Sequence, residues 1–255
     1  ATLLRLPHLY DMHSSLPQQL TNFAFSRSTL IRRAFLALER LMIRGSRVVI
    51  VICPSLEETV RRIDPQANVV LIENAPGSAA GEASANDAAE VRHTYGLDAS
   101  TPVVLYTGTF EAYQGLDLLF DALAVVRGRR SDVRLLLAGG APEQVSRARE
   151  EARAKGIDGI TIFAGERPAD EIPAFLRAAD VLVSPRSRGT NTPLKIYQYL
   201  RSGKPIVATR LLTHTQVLSD DTAILTGTSP REFADGILAA IADPAYCAGQ
   251  RRVAP

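Results

Sequence analysis

One stretch of the chain is strongly basic. The interval from Val181 to Ser219 holds no aspartate or glutamate, whereas the whole chain is nearly balanced, with 29 Lys+Arg against 27 Asp+Glu. The excess of positive charge is therefore a local arrangement, and it suits an anionic ligand. Its lysines and arginines are Arg186, Arg188, Lys195, Arg201, Lys204 and Arg210.

Lys195 lies where a helix is predicted to begin. An apolar strand is followed by a loop of Gly, Thr and Asn, then by a helix with Pro193 as its first residue and Gly203 just past its end. A helix start offers free N–H groups and partial positive charge, so a lysine there destabilises the helix unless an anion is bound. The simplest reason to place Lys195 there is a phosphate-bearing ligand.

Alternating strands and helices are predicted from Val103 onward. Continuous apolar runs separated by amphipathic segments indicate a parallel sheet covered on both faces, which is a near-complete Rossmann-like α/β domain. The predicted strands are Val103–Tyr106, Val133–Ala138, Ile160–Phe163, Val181–Val183, Ile206–Ala208 and Ala223–Leu225. The predicted helices are Gly115–Val126, Pro142–Lys155, Ala169–Ala178, Pro193–Arg201, Thr213–Leu218 and Pro230–Ala242.

The first third of the chain predicts a smaller unit of the same kind. Its strands are expected at His8–Tyr10, Val48–Cys53 and Val69–Ile72, and its helices at Ser28–Ile43 and Leu56–Ile63. We therefore expect a partial N-terminal α/β domain over residues 1–75, a linker over 76–88 and a C-terminal domain over 89–255. A half-sheet exposes an edge strand and a bare face, so we expect self-association through it.

Composition excludes several classes of protein. The chain has 255 residues, 46% of them hydrophobic, and a net charge of +2, which does not suggest a nucleic-acid-binding protein. No apolar run is long enough to span a membrane. Cys53 and Cys247 form no disulfide framework, which favours a reducing, cytoplasmic compartment, and the four histidines show no metal-ligand grouping, so we expect no metal.

Five ordered motifs carry a family resemblance. They are Tyr106–Gly115, Leu135–Gly140, Phe163–Pro168, Ala178–Ser187 and Ser202–Thr209. Together they resemble the C-terminal domain of the retaining GT-B glycosyltransferases called group 1, or family 4-like. Tyr10–Ser15 and Val70–Ala75 resemble the last part of that family's N-terminal domain. The first half of that domain is not recognised, and the chain opens at Ala1, so we expect a piece of a longer protein.

The resemblance implies sugar transfer from a nucleotide-sugar donor, such as a UDP- or GDP-sugar, with retention and without a metal or other cofactor. The acceptor is not indicated. The residues that match the donor and diphosphate site are Gly108, Thr109, Arg186, Arg188, Thr190, Asn191, Thr192 and Lys195. Ribose and base contacts fall on Gln198, Gly165, Glu166 and Arg167. His13 is a cleft histidine and Glu111 an acceptor-side carboxylate in this reading.

Two positions depart from the family pattern. The family usually carries two glutamates eight positions apart in the donor loop, where this chain has Thr190 and Gln198. Gln198 can still accept a ribose hydrogen bond, but Thr190 cannot replace a carboxylate. The family also places Arg and Lys after the first strand, where this chain has Thr109 and Gln114. Arg186, Arg188 or Lys195 would have to compensate.

Alternative readings remain open at this point. The chain could be a nucleotide-sugar-binding module with little turnover, or a sugar-nucleotide epimerase, although an acid-free loop argues against the epimerase. Some of these residues could also have purely structural roles. Arg186 and Arg188 could be solvated loop residues, and Gly108, Gly139 and Gly140 could only form tight turns. His214 could lie next to a helix cap without binding a ligand. A basic helix with Arg32, Arg33, Arg40 and Arg44 suits either a membrane surface or solvent.

Overall fold

The computed structural model describes residues 6–17, 28–73, 84–189 and 191–243. The chain divides into two compact units. The N-terminal unit comprises Ala1–Ala75 together with Gly189–Thr192. The C-terminal unit comprises Pro76–Arg188 and Pro193–Pro255.

The N-terminal unit holds a three-stranded parallel sheet in the order β1-β2-β3. Its elements are β1 (Leu9–Met12), α1 (Thr29–Arg44), β2 (Val48–Val51), α2 (Pro54–Ile63) and β3 (Val69–Leu71). Alternate strand residues and the inner faces of the two helices form its core, which includes Met12, Ile43, Val51, Leu56 and Val60. Glu39 is also buried, and it accepts hydrogen bonds from Ser15 Oγ at 3.2 Å and Leu16 N at 2.8 Å.

The described part of this unit leaves apolar side chains in solvent. Val70 and Ile72, in and just after β3, are 40% and 54% exposed, and Leu9 in β1 is exposed as well. On α1, Leu30 and Leu41 are exposed too. Exposed apolar residues on edge strands favour pairing with another chain.

The C-terminal unit is built on a six-stranded parallel sheet in the order β6-β5-β4-β7-β8-β9. The strands are β4 (Val103–Thr107), β5 (Arg134–Ala138), β6 (Thr161–Gly165), β7 (Val181–Ser184), β8 (Ile206–Thr209) and β9 (Ile224–Thr226). The helices are α3 (Ala85–Thr94), α4 (Leu116–Arg129), α5 (Pro142–Ala154), α6 (Ile172–Ala178), α7 (Leu194–Ser202), α8 (Leu212–Thr215) and α9 (Pro230–Ala242). The predicted α/β class with parallel sheets is confirmed.

Helices cover both faces of this sheet because its strands are apolar on both sides. In β4, Val104 and Tyr106 belong to the core beneath α4 and α9. Val103 and Leu105 point to the opposite core, which includes residues of α6 and α7. Continuous apolar strands of this kind are stable only when both faces are covered.

Several helix boundaries differ from the sequence-based prediction, and α3 was not predicted at all. Helix α3 begins inside the stretch predicted as linker, because Ser84 and Asp87 form a reciprocal capping box at its start. Helix α7 begins at Leu194, with Pro193 as its N-cap rather than its first residue, and ends as predicted at a left-handed Gly203. None of the described helices is long and apolar enough to cross a membrane.

The exposed sheet of the N-terminal unit predicts self-association. We expect Val70→Lys to shift the 255-residue chain from oligomer toward monomer in light scattering, because a charge on an edge strand opposes pairing. Leu212→Lys, which changes an exposed leucine of the C-terminal unit, serves as the matched control and leaves the mass unchanged. A monodisperse wild-type monomer contradicts the prediction.

Candidate functional site

The polar residues of the C-terminal unit lie where β4 and β7 separate at their carboxyl ends, a point that we call the split in the sheet. The chain runs from β4 to β5 and β6 on one side and returns to β7, β8 and β9 on the other, so β4 and β7 flank the point where the strand order reverses. The pairing of these two strands covers Val104 with Val181 and Leu105 with Leu182. Ligands of open α/β sheets bind where neighbouring strands part in this way, beyond their carboxyl ends.

Helix α7 satisfies the backbone groups that this split leaves on β4. The N–H of Thr107 donates to Tyr199 Oη at 3.0 Å, and its carbonyl accepts from Lys195 Nζ at 2.9 Å. The two side chains lie on the same face of α7 because they are four residues apart. Burial raises the pKa of Tyr199 to about 12, so its hydroxyl stays neutral.

Lys195 is a buried cation with neutral partners. The residue is 9% exposed, and Nζ lies 3.9 Å from the centroid of the Tyr106 ring. Among the described residues no carboxylate pairs with it. Burial, and then the nearby charge of Arg186, hold the pKa of Lys195 well below its ordinary value. A buried ammonium is costly without a counter-charge, so this position favours an anion.

The loop after β4 gives access to that ammonium. Gly108 is exposed and has φ 126°, and a Cβ built on it would lie 3.4 Å from Lys195 Nζ. A Cβ on Gly139 would lie 2.0 Å from the Gly108 carbonyl oxygen, so only glycine lets the turns after β4 and β5 approach. The backbone of Gly108 thus forms an open surface beside Nζ.

Arg186 provides a second buried cation just after β7. Its Nη1 donates to Thr213 Oγ1 at 2.8 Å, its guanidinium lies 5.0 Å from the Tyr113 ring centroid, and its carbonyl accepts from Thr209 Oγ1 at 2.7 Å. Burial lowers the pKa of Arg186 from its ordinary value. Arg188, which the sequence analysis treated as its equal, is exposed.

His214 is fully buried near Lys195 and Arg186, and with Ser184 and Thr209 these residues form a buried polar cluster. Its Nδ1 lies 2.8 Å from the Thr209 carbonyl oxygen, and its Nε2 lies 2.8 Å from Ser184 Oγ. Burial, with smaller contributions from the charges of Lys195 and Arg186, lowers the pKa of His214 to about 4. The imidazole is therefore neutral at neutral pH.

The predicted ribose and base residues lie on two elements. Gln198 is half-buried on α7, one turn beyond Lys195. The carbonyl of Gly165 accepts from Gly139 N at 2.7 Å, which ties the loop after β6 to the turn after β5. Glu166 and Arg167 are exposed there, and Arg167 lies 3.6 Å from Glu171.

The side chains after Gly108 mostly contact the protein itself. Thr109 is exposed, and its carbonyl accepts from Tyr106 Oη at 2.6 Å. Glu111 accepts from Gln144 Nε2 at 2.8 Å, at the start of α5. Gln114 is buried, and within the described ranges its Oε1 has no hydrogen-bond partner.

Four predicted site residues fall outside the C-terminal unit. His13 is exposed, with Nε2 3.2 Å from Asp11 Oδ2. Asn191 is half-buried, whereas Thr192 is buried and its hydroxyl has no partner in the part of the chain that the structure describes. Thr190 lies outside the described residues.

Sequence reasoning missed the neutral residues that hold the cations. Tyr199 could have been noticed from its position four residues after Lys195. His214, together with Thr209 and Ser184, could be associated only through the pairing of β7 with β8. No local pattern in the sequence indicates that pairing.

Comparison with known proteins places this chain in a family. The profile of the glycosyl transferases group 1 matches residues 101–243, which is more than half of the chain. The D-inositol 3-phosphate glycosyltransferase of Acidothermus cellulolyticus is 30% identical over 168 residues, covering 62% of this chain and 37% of that protein. The alpha-D-kanosaminyltransferase of Streptomyces kanamyceticus is 26% identical over 158 residues, covering 61% and 40%.

Solved structures share the fold. Anabaena Alr3699/HepE in complex with UDP and glucose aligns with a TM-score of 0.80 at 20% identity, over 97% of this chain and 65% of that one. Its complex with UDP-glucose aligns equally well, at 21% identity, over 96% and 65%. The chain spans about two fifths of the length of the two curated relatives named above. By the extent of the family match, the chain belongs to the glycosyl transferases group 1.

Proposed function

We propose that the chain forms the donor-binding part of a glycosyltransferase that moves a sugar from a nucleotide sugar to an acceptor with retention. The observation that carries this proposal is the buried ammonium of Lys195, which has neutral partners and lies beside the open backbone of Gly108. A diphosphate supplies the missing negative charge. A UDP- or GDP-sugar brings that diphosphate together with the group to be transferred.

Lys195 and Arg186 would stabilise the departing nucleoside diphosphate. Negative charge grows on the β-phosphate as its bond to the sugar breaks, and cations fixed in advance stabilise that charge without reorganisation. An ammonium has three N–H donors, so Lys195 can keep Thr107 and still bind phosphate oxygens. The start of α7, a helix of nine residues, adds partial positive charge.

The remaining roles stay predictions. We assign Gln198 to the ribose and Gly165, Glu166 and Arg167 to the base. Further donor contacts are assigned to Gly108, Thr109, Arg188, Thr190, Asn191 and Thr192. His13 is proposed for the cleft and Glu111 for the acceptor side, with Gln144 orienting the Glu111 carboxylate. No metal is required by this assignment.

The comparisons support the donor class and leave the acceptor open. Anabaena Alr3699/HepE was solved with UDP and with UDP-glucose, which favours a uridine nucleotide as the first probe. The names of the two curated relatives give different substrate groups, D-inositol 3-phosphate in one and kanosamine in the other. The acceptor of this chain is therefore not assigned.

Location and surface contacts also stay predictions. A cytoplasmic location rests on the two cysteines, of which Cys53 is buried. Contact with a membrane surface is proposed for α1, whose arginines Arg32, Arg33, Arg40 and Arg44 are all exposed. Exposed Leu30 and Leu41 add apolar surface on that helix, as interfacial helices require.

A binding module with little turnover is the second candidate. Gln198 replaces a glutamate of the family pattern, and Gln114 stands where the family has a lysine. Calorimetric titration with UDP, GDP and their sugars, run beside a turnover assay, separates the candidates. Binding with turnover supports the transferase, binding alone supports the module, and no binding at millimolar ligand contradicts both.

Replacing Lys195 tests the diphosphate assignment. We expect Lys195→Met to weaken UDP binding about 10- to 100-fold, which matches the roughly 1.5 to 3 kcal/mol of a hydrogen bond to a charged group, with little effect on uridine. Arg201→Met, which removes an exposed cation at the far end of α7, is the matched control. Equal losses for UDP and uridine in calorimetry would place the diphosphate elsewhere.

Binding should also take up a proton. The pKa of free Lys195 is depressed by burial, and a bound diphosphate raises it, so the bound state holds more protons between the two pKa values. UDP affinity therefore falls as the pH rises through the pKa of free Lys195. Calorimetry in buffers of different ionisation enthalpy measures this uptake, which we expect Lys195→Met to abolish. Uptake that persists in the variant contradicts the assignment.

Restoring the family carboxylate tests Gln198. We expect Gln198→Glu to raise UDP-sugar affinity up to about tenfold, because a charged acceptor binds a ribose hydroxyl more strongly than an amide does. Gln66→Glu, at an exposed position of the N-terminal unit, controls for added negative charge. A clear loss of affinity in Gln198→Glu alone means that this helix face does not receive the ribose.

A further inference from the structure

A hydrogen-bond relay runs through the buried polar cluster in one direction. The carbonyl of Thr209 can only accept, so His214 Nδ1 carries the proton in the bond between them. Because the ring is neutral, its Nε2 accepts from the Ser184 hydroxyl. His214 Nδ1 also lies 3.2 Å from Thr209 Oγ1, and that hydroxyl donates to the carbonyl of Arg186 at 2.7 Å, which connects the histidine to the Arg186 backbone.

We propose that His214, together with Ser184 and Thr209, is a positioning residue that holds Arg186 in place for the diphosphate. This inference rests on the proposed function, because it assigns a purpose to the fixed position of Arg186. It gives His214 no contact with the substrate.

The relay is one of two supports for the segment that carries Arg186. On one side, the hydroxyls of Thr209 and Thr213 bind the Arg186 carbonyl and guanidinium. On the other side, the segment packs on the turn before α4: a Cβ on Gly115 would lie 2.0 Å from the Pro185 carbonyl oxygen. The Ser187 N–H also donates to the Tyr113 carbonyl at 3.1 Å.

Fixing the guanidinium in advance has a functional consequence. An arginine loses considerable rotamer freedom when it binds a ligand, and a site that orders it beforehand avoids that loss. Because the Arg186 backbone and guanidinium are each held by a threonine hydroxyl, little reorientation remains when the diphosphate arrives.

A neutral histidine suits this place better than a charged one. Lys195 and Arg186 already bring two positive charges to the cluster, and both disfavour a third on His214. The two ring nitrogens make different bonds, one as donor and one as acceptor, so the neutral ring connects a strand hydroxyl on β7 with the end of β8. Ser184 Oγ is fully buried, so the pair is no nucleophile for an external substrate.

The test compares UDP with uridine, because Arg186 should affect only the diphosphate. We expect His214→Phe and Thr209→Val each to weaken UDP binding about tenfold and to leave uridine binding unchanged, the value of one charge-assisted contact. His214→Asn keeps a donor near Thr209 and should recover most of the UDP affinity. In an Arg186→Met background, His214→Phe should cause no further loss of UDP affinity.

Thr161→Val is the matched control, since Thr161 is a buried strand threonine whose hydroxyl also donates to a carbonyl, that of Ile157. If His214→Phe weakens UDP and uridine binding equally, or if its effect on UDP affinity adds to that of Arg186→Met, the positioning role of His214 is wrong. The proposed function is not affected by either result. An Arg186→Met variant with unchanged UDP affinity overturns the assignment of Arg186 in the proposed function, and the inference falls with it.

A second readout does not depend on ligand affinity. Ser184→Ala removes a single hydroxyl from the start of the relay and is a smaller change than His214→Phe. We expect amide hydrogen exchange across residues 186–188 to be faster in Ser184→Ala and Thr209→Val than in wild type, and unchanged in Thr161→Val. Unchanged exchange in both relay variants overturns the positioning role.

Discussion

The candidate site depends on a buried ammonium, Lys195, which has no carboxylate beside it in the part of the chain that the structure describes. Removing a lysine from water costs several kcal/mol, and a carbonyl oxygen and an aromatic face compensate only in part. The split of β4 from β7 supplies that carbonyl, on Thr107, and α7 supplies the lysine. The sheet topology therefore creates the cationic site, because the Thr107 carbonyl that β7 leaves unpaired is the group that accepts a hydrogen bond from Lys195.

The surrounding residues are consistent with a site prepared for an anion. Arg186 adds a second buried cation, Tyr199 is neutral, and the lowered pKa of His214 keeps its imidazole neutral as well. Such a cluster costs folding free energy in the absence of ligand, and the apolar cores on the two faces of the sheet offset that cost. A ligand that supplies the missing negative charge would recover part of it as binding energy.

Sequence patterns predicted the strands and most helices because apolar runs and caps are local signals. Lys195 was likewise predicted to bind phosphate from two local signals, the absence of acidic residues around it and its position at a predicted helix start. The direction of its side chain could not be predicted: Nζ reaches across to Thr107 in β4, and this contact joins residues 88 positions apart. For the same reason Arg186 and Arg188 looked equivalent in sequence, although only the first is buried. Helix α3 was missed because the composition around Ser84 suggested a linker and concealed its capping box.

A crystal structure of the chain with UDP tests the central claim most directly. We expect a phosphate oxygen within hydrogen-bonding distance, about 3 Å, of Lys195 Nζ, with the phosphates lying over Gly108. Bound UDP whose phosphates lie elsewhere, while Nζ still contacts only Thr107 and the Tyr106 ring, would contradict it.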